Sequence, residues 1–133
     1  MINKLIFAMT LLVGTGILQA DDQMKTKTPA SGDTATAALK DSPRHGEWAD
    51  VALPDSDVKI HTWIVYPERK DKAPVVIVIH EIFGMTDWVR AVADQLAAEG
   101  YIAVAPDLVS GMGPNGGGSE SLGEGVRAAI VKV

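Results

Sequence analysis

The chain has 133 residues, with 12 Lys and Arg against 17 Asp and Glu and a net charge of −5. That is enough length for one domain, and an acidic balance with no basic cluster argues against nucleic acid as a partner. There is no cysteine, which removes disulfides, a thiol nucleophile and thiolate metal ligands.

Met1–Ala20 reads MINKLIFAMTLLVGTGILQA. Lys4, the apolar run Leu5–Leu18 and a small residue before an acidic pair have the layout of a secretory signal. The run is shorter than the roughly 20 residues that span a bilayer. Cleavage leaves an exported protein, periplasmic or secreted, with no stable membrane insertion; retention leaves an anchor. Asp21–Gly46 is rich in Thr, Ala, Asp, Lys and Ser without apolar periodicity. Such a segment buries too little surface to offset its ordering entropy, so a flexible leader is expected. Glu47–Val133 is left to fold.

Glu47–Leu53 alternates loosely and reads as a strand. Pro54–Asp57 is a turn signal. In VKIHTWIVYP, residues 58, 60, 62, 64 and 66 share one face, and Lys59, His61, Trp63 and Val65 the other. That period of two predicts a second strand, antiparallel to the first, ended by Pro67. Val75–Ile79 is apolar throughout, the pattern of a strand covered on both faces. Thr86 or Asp87 is placed to cap a helix. Val89, Val92, Ala93, Leu96 and Ala97 recur at helical spacing from Trp88 to Glu99, opposite Arg90, Asp94, Gln95 and Glu99. Gly100 stops the helix, and Tyr101–Pro106 is the next strand. Strand, helix and strand make a βαβ unit with parallel strands. Asp107–Gly125 reads as a glycine-rich loop over the site, and Val126–Val133 as the start of another helix. The fold class is α/β, an open sheet with an antiparallel N-terminal hairpin and then a parallel βαβ unit.

Ligands of open α/β sheets bind beyond the carboxyl ends of the strands. His80-Glu81-Ile82-Phe83-Gly84 occupies that place after the most apolar strand. Backbone N–H groups of such a loop are donors suited to an oxyanion. Apolar neighbours would raise the pKa of Glu81 if they enclosed it. Position alone favours the plainer reading, a solvated Glu81 and a locally bonded His80. Gly84 stands where the second histidine of H-E-x-x-H would be needed, so no zincin motif exists. His45 and His61 are isolated and read as surface or sheet residues. Gly111-Met112-Gly113-Pro114-Asn115-Gly116 spells G-x-G-x-x-G but opens no helix, so no dinucleotide cofactor is implied. Ser119 and Ser121 lack a G-x-S-x-G elbow. No nucleophile set is assembled from these residues.

The stretch VVIVIHEIFGMTDWVRAVADQLAAEGYIAVAPDLVSG (Val75–Gly111) resembles the N-terminal half of the dienelactone hydrolase family, within the α/β-hydrolase superfamily. The resemblance rests on E-I-F-G after an apolar strand, AAEGY at the helix end and VAPDL at the next strand end. It covers about Trp48–Gly118, and the signal-like start resembles exported members. It implies roles for three residues: Glu81 contacting and controlling the nucleophile, the Ile82 backbone N–H contributing to the oxyanion hole, and Phe83 lining the acyl pocket. It also implies a small-molecule ester or lactone substrate, an acyl-enzyme and no cofactor or metal. Arg127 lies in a plausible region for a substrate-carboxylate arginine, but no motif fixes it. The family's nucleophile, acid and histidine come later than this chain reaches. The resemblance therefore implies a sheet truncated before the nucleophile strand, ordered first, second, fourth, third, with Val75–Ile79 as an open edge. The expected function is that of an N-terminal part of an ester or lactone hydrolase, inactive alone. The alternative is a small exported α/β module that binds a ligand or partner without catalysis.

Overall fold

A computed structural model describes residues 29–132. The signal-like Met1–Ala20 and the first part of the expected leader lie outside the described residues.

The strands β1 (Gly46–Ala52) and β2 (Lys59–Val65) pair antiparallel, from Gly46 opposite Val65 to Ala52 opposite Lys59. The chain reverses between them at Asp55, whose φ is 58°, a left-handed value that Asp tolerates better than most residues. Strand β3 (Val75–Ile77) leads into helix α2 (Asp87–Ala98), and β4 (Ile102–Pro106) follows. β4 lies parallel to β3 and antiparallel to β2. The sheet order is β1-β2-β4-β3, the order expected from the resemblance. Thr86 caps α2 by accepting the Val89 N–H, and Asp87 in the first turn complements the helix dipole.

The core sits between the sheet and α2. Val65, Val89, Ala93, Ala97, Ala103 and Ala105 form it, with Trp63, Val76, Val78, Met85 and Leu96 packed around them. Val65 and Val89 are each 1% exposed, and burial of such a side chain contributes roughly 1.5–3 kcal/mol. The alternation read in β2 therefore resolves with Trp63 and Val65 toward α2.

Two expectations need correction. The first is the flexible leader, whose last part is structured. Residues 35–40 form helix α1 (Ala35–Lys40), and Ala35 is buried. Thr36 donates to Asp87, and Ser42 and Arg44 bind the Asp94 carboxylate. Asp94, on the face of α2 opposite its apolar residues, is the anchor for this arm. A polar segment is ordered here by hydrogen bonds to a neighbouring helix, which its own composition does not reveal. The second correction is that Val75–Ile79 is not covered on both faces among the described residues. Val76 and Val78 pack on the core, while Val75, Ile77 and Ile79 are 63%, 63% and 62% exposed. The helix packed on the sheet takes one face, and among the described residues β3 has a neighbour on one side only. The strand is also shorter than expected. Val78 still donates to the Val104 carbonyl at 2.8 Å, and the chain then turns away.

The glycine-rich stretch folds rather than spanning the site loosely. Gly113 donates to the Gly117 carbonyl at 2.8 Å around a 3-10 turn at Pro114–Gly116. Helices α3 (Ser119–Leu122) and α4 (Val126–Ile130) follow. Val109, Val126 and Ala129 make a second small core.

Candidate functional site

The segment after β3 is built by local hydrogen bonds. Gly84 donates to the Glu81 carbonyl at 3.0 Å, closing a tight turn with Ile82 and Phe83 at its tip. The Glu81 carboxylate accepts the Phe83 N–H at 3.0 Å. Met85 donates to the Ser119 hydroxyl at 2.9 Å, and Thr86 to the Gly84 carbonyl at 3.0 Å. From Ile82 to Thr86, only the Ile82 N–H makes no hydrogen bond among the described residues. Gly84 is required twice over. Its φ is +73°, and a Cβ there would lie 2.3 Å from the Ser119 hydroxyl oxygen. No side chain combines that backbone with that approach.

Beneath the turn is a buried polar cluster. His80 is 8% exposed, Asp107 3% and Ser119 8%. The Ser119 hydroxyl and backbone N–H both donate to the Asp107 carboxylate at 2.7 Å, and Val109 N–H donates to it at 3.3 Å. His80 Nε2 accepts the Leu108 N–H at 3.0 Å, so the neutral ring carries its proton on Nδ1 and donates it to the Glu81 carbonyl at 2.9 Å. His80 Nε2 lies 3.6 Å from Asp107 Oδ1, a charge contact too long for a hydrogen bond.

Each group perturbs the other. The Asp107 carboxylate raises the pKa of His80 above its usual value, against the opposing effect of burial. On protonation, Nε2 changes from acceptor of the Leu108 N–H to donor toward Asp107. Burial pushes the Asp107 carboxyl up, but His80 and the donors of Ser119 and Val109 outweigh it and hold it below its ordinary range.

Serine, acid and histidine are thus brought together, which sequence reasoning did not foresee. The order of contacts is wrong for nucleophilic attack. The Ser119 hydroxyl donates to the carboxylate instead of the imidazole and also accepts the Met85 N–H, so no base faces it. The only sequence signal was the strand end in VAPDL, which carries Asp107.

A cleft of about 1360 Å³ opens beside the turn, with Trp48, His61, Phe83, Met85, Arg90 and Ser121 among its lining residues. Phe83 lines it, whereas Glu81 and Ile82 do not. All three lie in the same turn, and all three are exposed. Arg127 sits over the Phe83 ring, 5.6 Å from its centroid, a cation–π distance. His61 pairs with Asp50 at 3.0 Å and stacks on Trp48, the sheet position expected for it. Among the described residues no cluster of His, Asp and Glu is placed to hold a metal. No helix among them is long and apolar enough to cross a membrane.

Fold and site define an α/β protein with an exposed turn, carrying the unbonded Ile82 N–H, at the carboxyl edge of its sheet. Residues 60–126 match the model of the Dienelactone hydrolase family, and the chain belongs to that family. A protein of Synechocystis sp. named "Putative carboxymethylenebutenolidase" is 38% identical over 64 residues, 48% of this chain and 26% of that protein. One of the same name from Saccharolobus solfataricus is 47% identical over 55 residues, 41% of this chain and 21% of that protein. An Escherichia coli protein named "Putative hydrolase fragment YghX" is 34% identical over 68 residues, 50% of this chain and 58% of its own length. A solved structure from Klebsiella pneumoniae, described as a putative dienelactone hydrolase, aligns with a TM-score of 0.41 at 32% identity, over 49% of this chain and 28% of its own. The chain spans about a quarter of the length of the carboxymethylenebutenolidases it matches.

Proposed function

We propose that this chain is the oxyanion side of an exported ester or lactone hydrolase that works through an acyl-enzyme. The observation that carries the reading is the Ile82 N–H. It stands unengaged at the tip of a turn whose following N–H groups are all bonded. A donor held free and rigid stabilises charge that develops on a substrate oxygen. Glu81, beside it, is the group that controls the nucleophile, and Phe83 lines the acyl pocket with its ring in the cleft. The substrate is a small ester or lactone. The signal-like Met1–Ala20 supports export to the periplasm or medium.

The residues described here do not turn over substrate alone. The buried serine has no base, which supports that reading. The experiment is ester turnover by the 133-residue chain against a version extended through later strands of a relative. The short chain is expected to be silent. The extended one is expected to lose about 10²–10³-fold in kcat in Ile82→Pro, the scale of one lost oxyanion donor. Turnover that survives both Ile82→Pro and Glu81→Ala overturns the assignment.

The cleft favours one other reading, a ligand-binding module without catalysis. A soluble monomer of the short chain that unfolds cooperatively and binds a small ester without turnover would replace the first reading with this one.

A further inference from the structure

The turn that carries Ile82 is tied at both ends, at its exit through Ser119 to the Asp107 carboxylate and at its entry to the Leu108 N–H beside that carboxylate. At its entry, the buried His80 ring accepts the Leu108 N–H at 3.0 Å and lies 3.6 Å from Asp107 Oδ1. At its exit, the Met85 N–H donates to the Ser119 hydroxyl at 2.9 Å, which donates to Asp107 Oδ1 at 2.7 Å. Asp107 is itself fixed by the sheet, because its N–H donates to the His61 carbonyl at 2.8 Å, extending the pairing of β4 with β2. The fit is close on both sides. A Cβ at Gly84 would meet the Ser119 hydroxyl, and one at Gly118 would lie 2.3 Å from Asp107 Oδ2.

We propose that Asp107 is the positioning residue of the β3 turn, acting through His80 and Ser119 to fix where the Ile82 N–H points. This rests on the reading of Ile82 as an oxyanion donor. Only Glu81, Ile82, Phe83 and Gly84 lie between the two tied residues, so displacement of either end moves the donor. An oxyanion donor works within about 2.7–3.1 Å of its target, so a small displacement matters. A buried carboxylate reached by three N–H or O–H donors is a stiff reference point, and the low local dielectric strengthens each bond to it.

The test is amide hydrogen exchange and amide chemical shifts in the 133-residue chain. Ser119→Ala cuts the exit tie and keeps the backbone bond to Asp107. The Met85 amide is then expected to exchange about five- to tenfold faster, the size of one lost hydrogen bond. The Ile82 and Phe83 amide shifts move, while Ala93 and Ala103 stay protected. His80→Ala loosens the entry at Leu108. His80→Gln, whose side-chain oxygen accepts the same N–H, returns the Ile82 shift toward wild type. Asp107→Asn disturbs both ends together; where it does not fold, the single-end variants carry the test. Unchanged Met85 exchange and Ile82 shift in Ser119→Ala overturn the proposal. So does exchange that accelerates equally across α2 and β4, because that marks a group holding the whole fold. These readouts need no substrate, so they are independent of the turnover experiment on Ile82→Pro.

Discussion

Two loops leave the carboxyl edge of the sheet, one after β3 and one after β4, and they use their backbone in opposite ways. The loop after β3 is short, presents exposed Ile82 and Phe83, and among the described residues leaves the Ile82 N–H unspent while those from Phe83 to Thr86 are bonded. The loop after β4 is glycine-rich and turns many of its N–H groups inward, with Ser110, Met112, Gly113, Gly116 and Gly117 all donating within it. The first resembles a site and the second its support. They meet where Ser119, at the end of the β4 loop, receives Met85 and binds Asp107. The difference teaches that the exposed turn is held by a neighbouring loop folded on its own hydrogen bonds.

Glycine substitutions break the comparison most sharply. Gly84 and Gly116 both have positive φ, +73° and +77°, but a Cβ at Gly84 meets Ser119 while one at Gly116 meets nothing within 4 Å. Gly84→Ala is expected to cost about 2–5 kcal/mol, backbone strain plus overpacking. Gly116→Ala is expected to cost about 1–2 kcal/mol, the strain alone. Denaturant unfolding of both variants measures this, and equal losses would remove the distinction between the loops.

Ser119→Ala comes next, at about 1–3 kcal/mol, because it leaves the Met85 N–H unpaired in a buried site. The midpoint of thermal unfolding reads it. A loss under about 0.5 kcal/mol would mean that the two loops are not coupled through this hydroxyl.

The His80–Asp107 pair gives a pH dependence whose sign follows from the two shifts. Asp107 is lowered, so its contribution is present above its unfolded value of about 4 and is lost as pH falls through the folded one. His80 is raised, so its contribution is present below about 6.5 and is lost as pH rises through its folded value. The pair is strongest between roughly pH 4 and 6.5. Thermal midpoints across pH 3–9 should show an alkaline decline that His80→Gln flattens. A decline unchanged in that variant would place its origin elsewhere.

The smallest effect on stability is expected on the exposed face of β3. Ile77 is 63% exposed, so Ile77→Lys should change unfolding free energy by no more than about 0.5 kcal/mol. It should nonetheless lower self-association and ANS binding, since an apolar open edge is an aggregation hazard. Sedimentation at increasing concentration checks it.

Much of the fold was legible from residue order. The period of two in β2, the helical spacing from Val89 to Ala97 and the Thr86 cap are local patterns that depend on neighbours in sequence. The strand order followed from the family resemblance. The ordered arm was not legible, because Ser42 and Arg44 find Asp94 some fifty residues away. Apolar Val75–Ile79 suggested two covered faces, yet residue type cannot say whether a second layer is present. At the site, E-I-F-G marks the turn, but Ser119 has no elbow motif around it and Asp107 stands only as part of the strand end VAPDL.

By itself, the sequence determined the class of fold, the family and the turn at Glu81–Gly84, because periodicity, caps and short motifs act over a few residues. Only the tertiary structure decided that the Ile82 N–H is free while those after it are bonded, where the buried carboxylate sits and which residues hold it. Those depend on distances between segments that the chain order separates. Hydrogen bonds depend on distance and angle, and the amino-acid sequence specifies neither until the chain has folded.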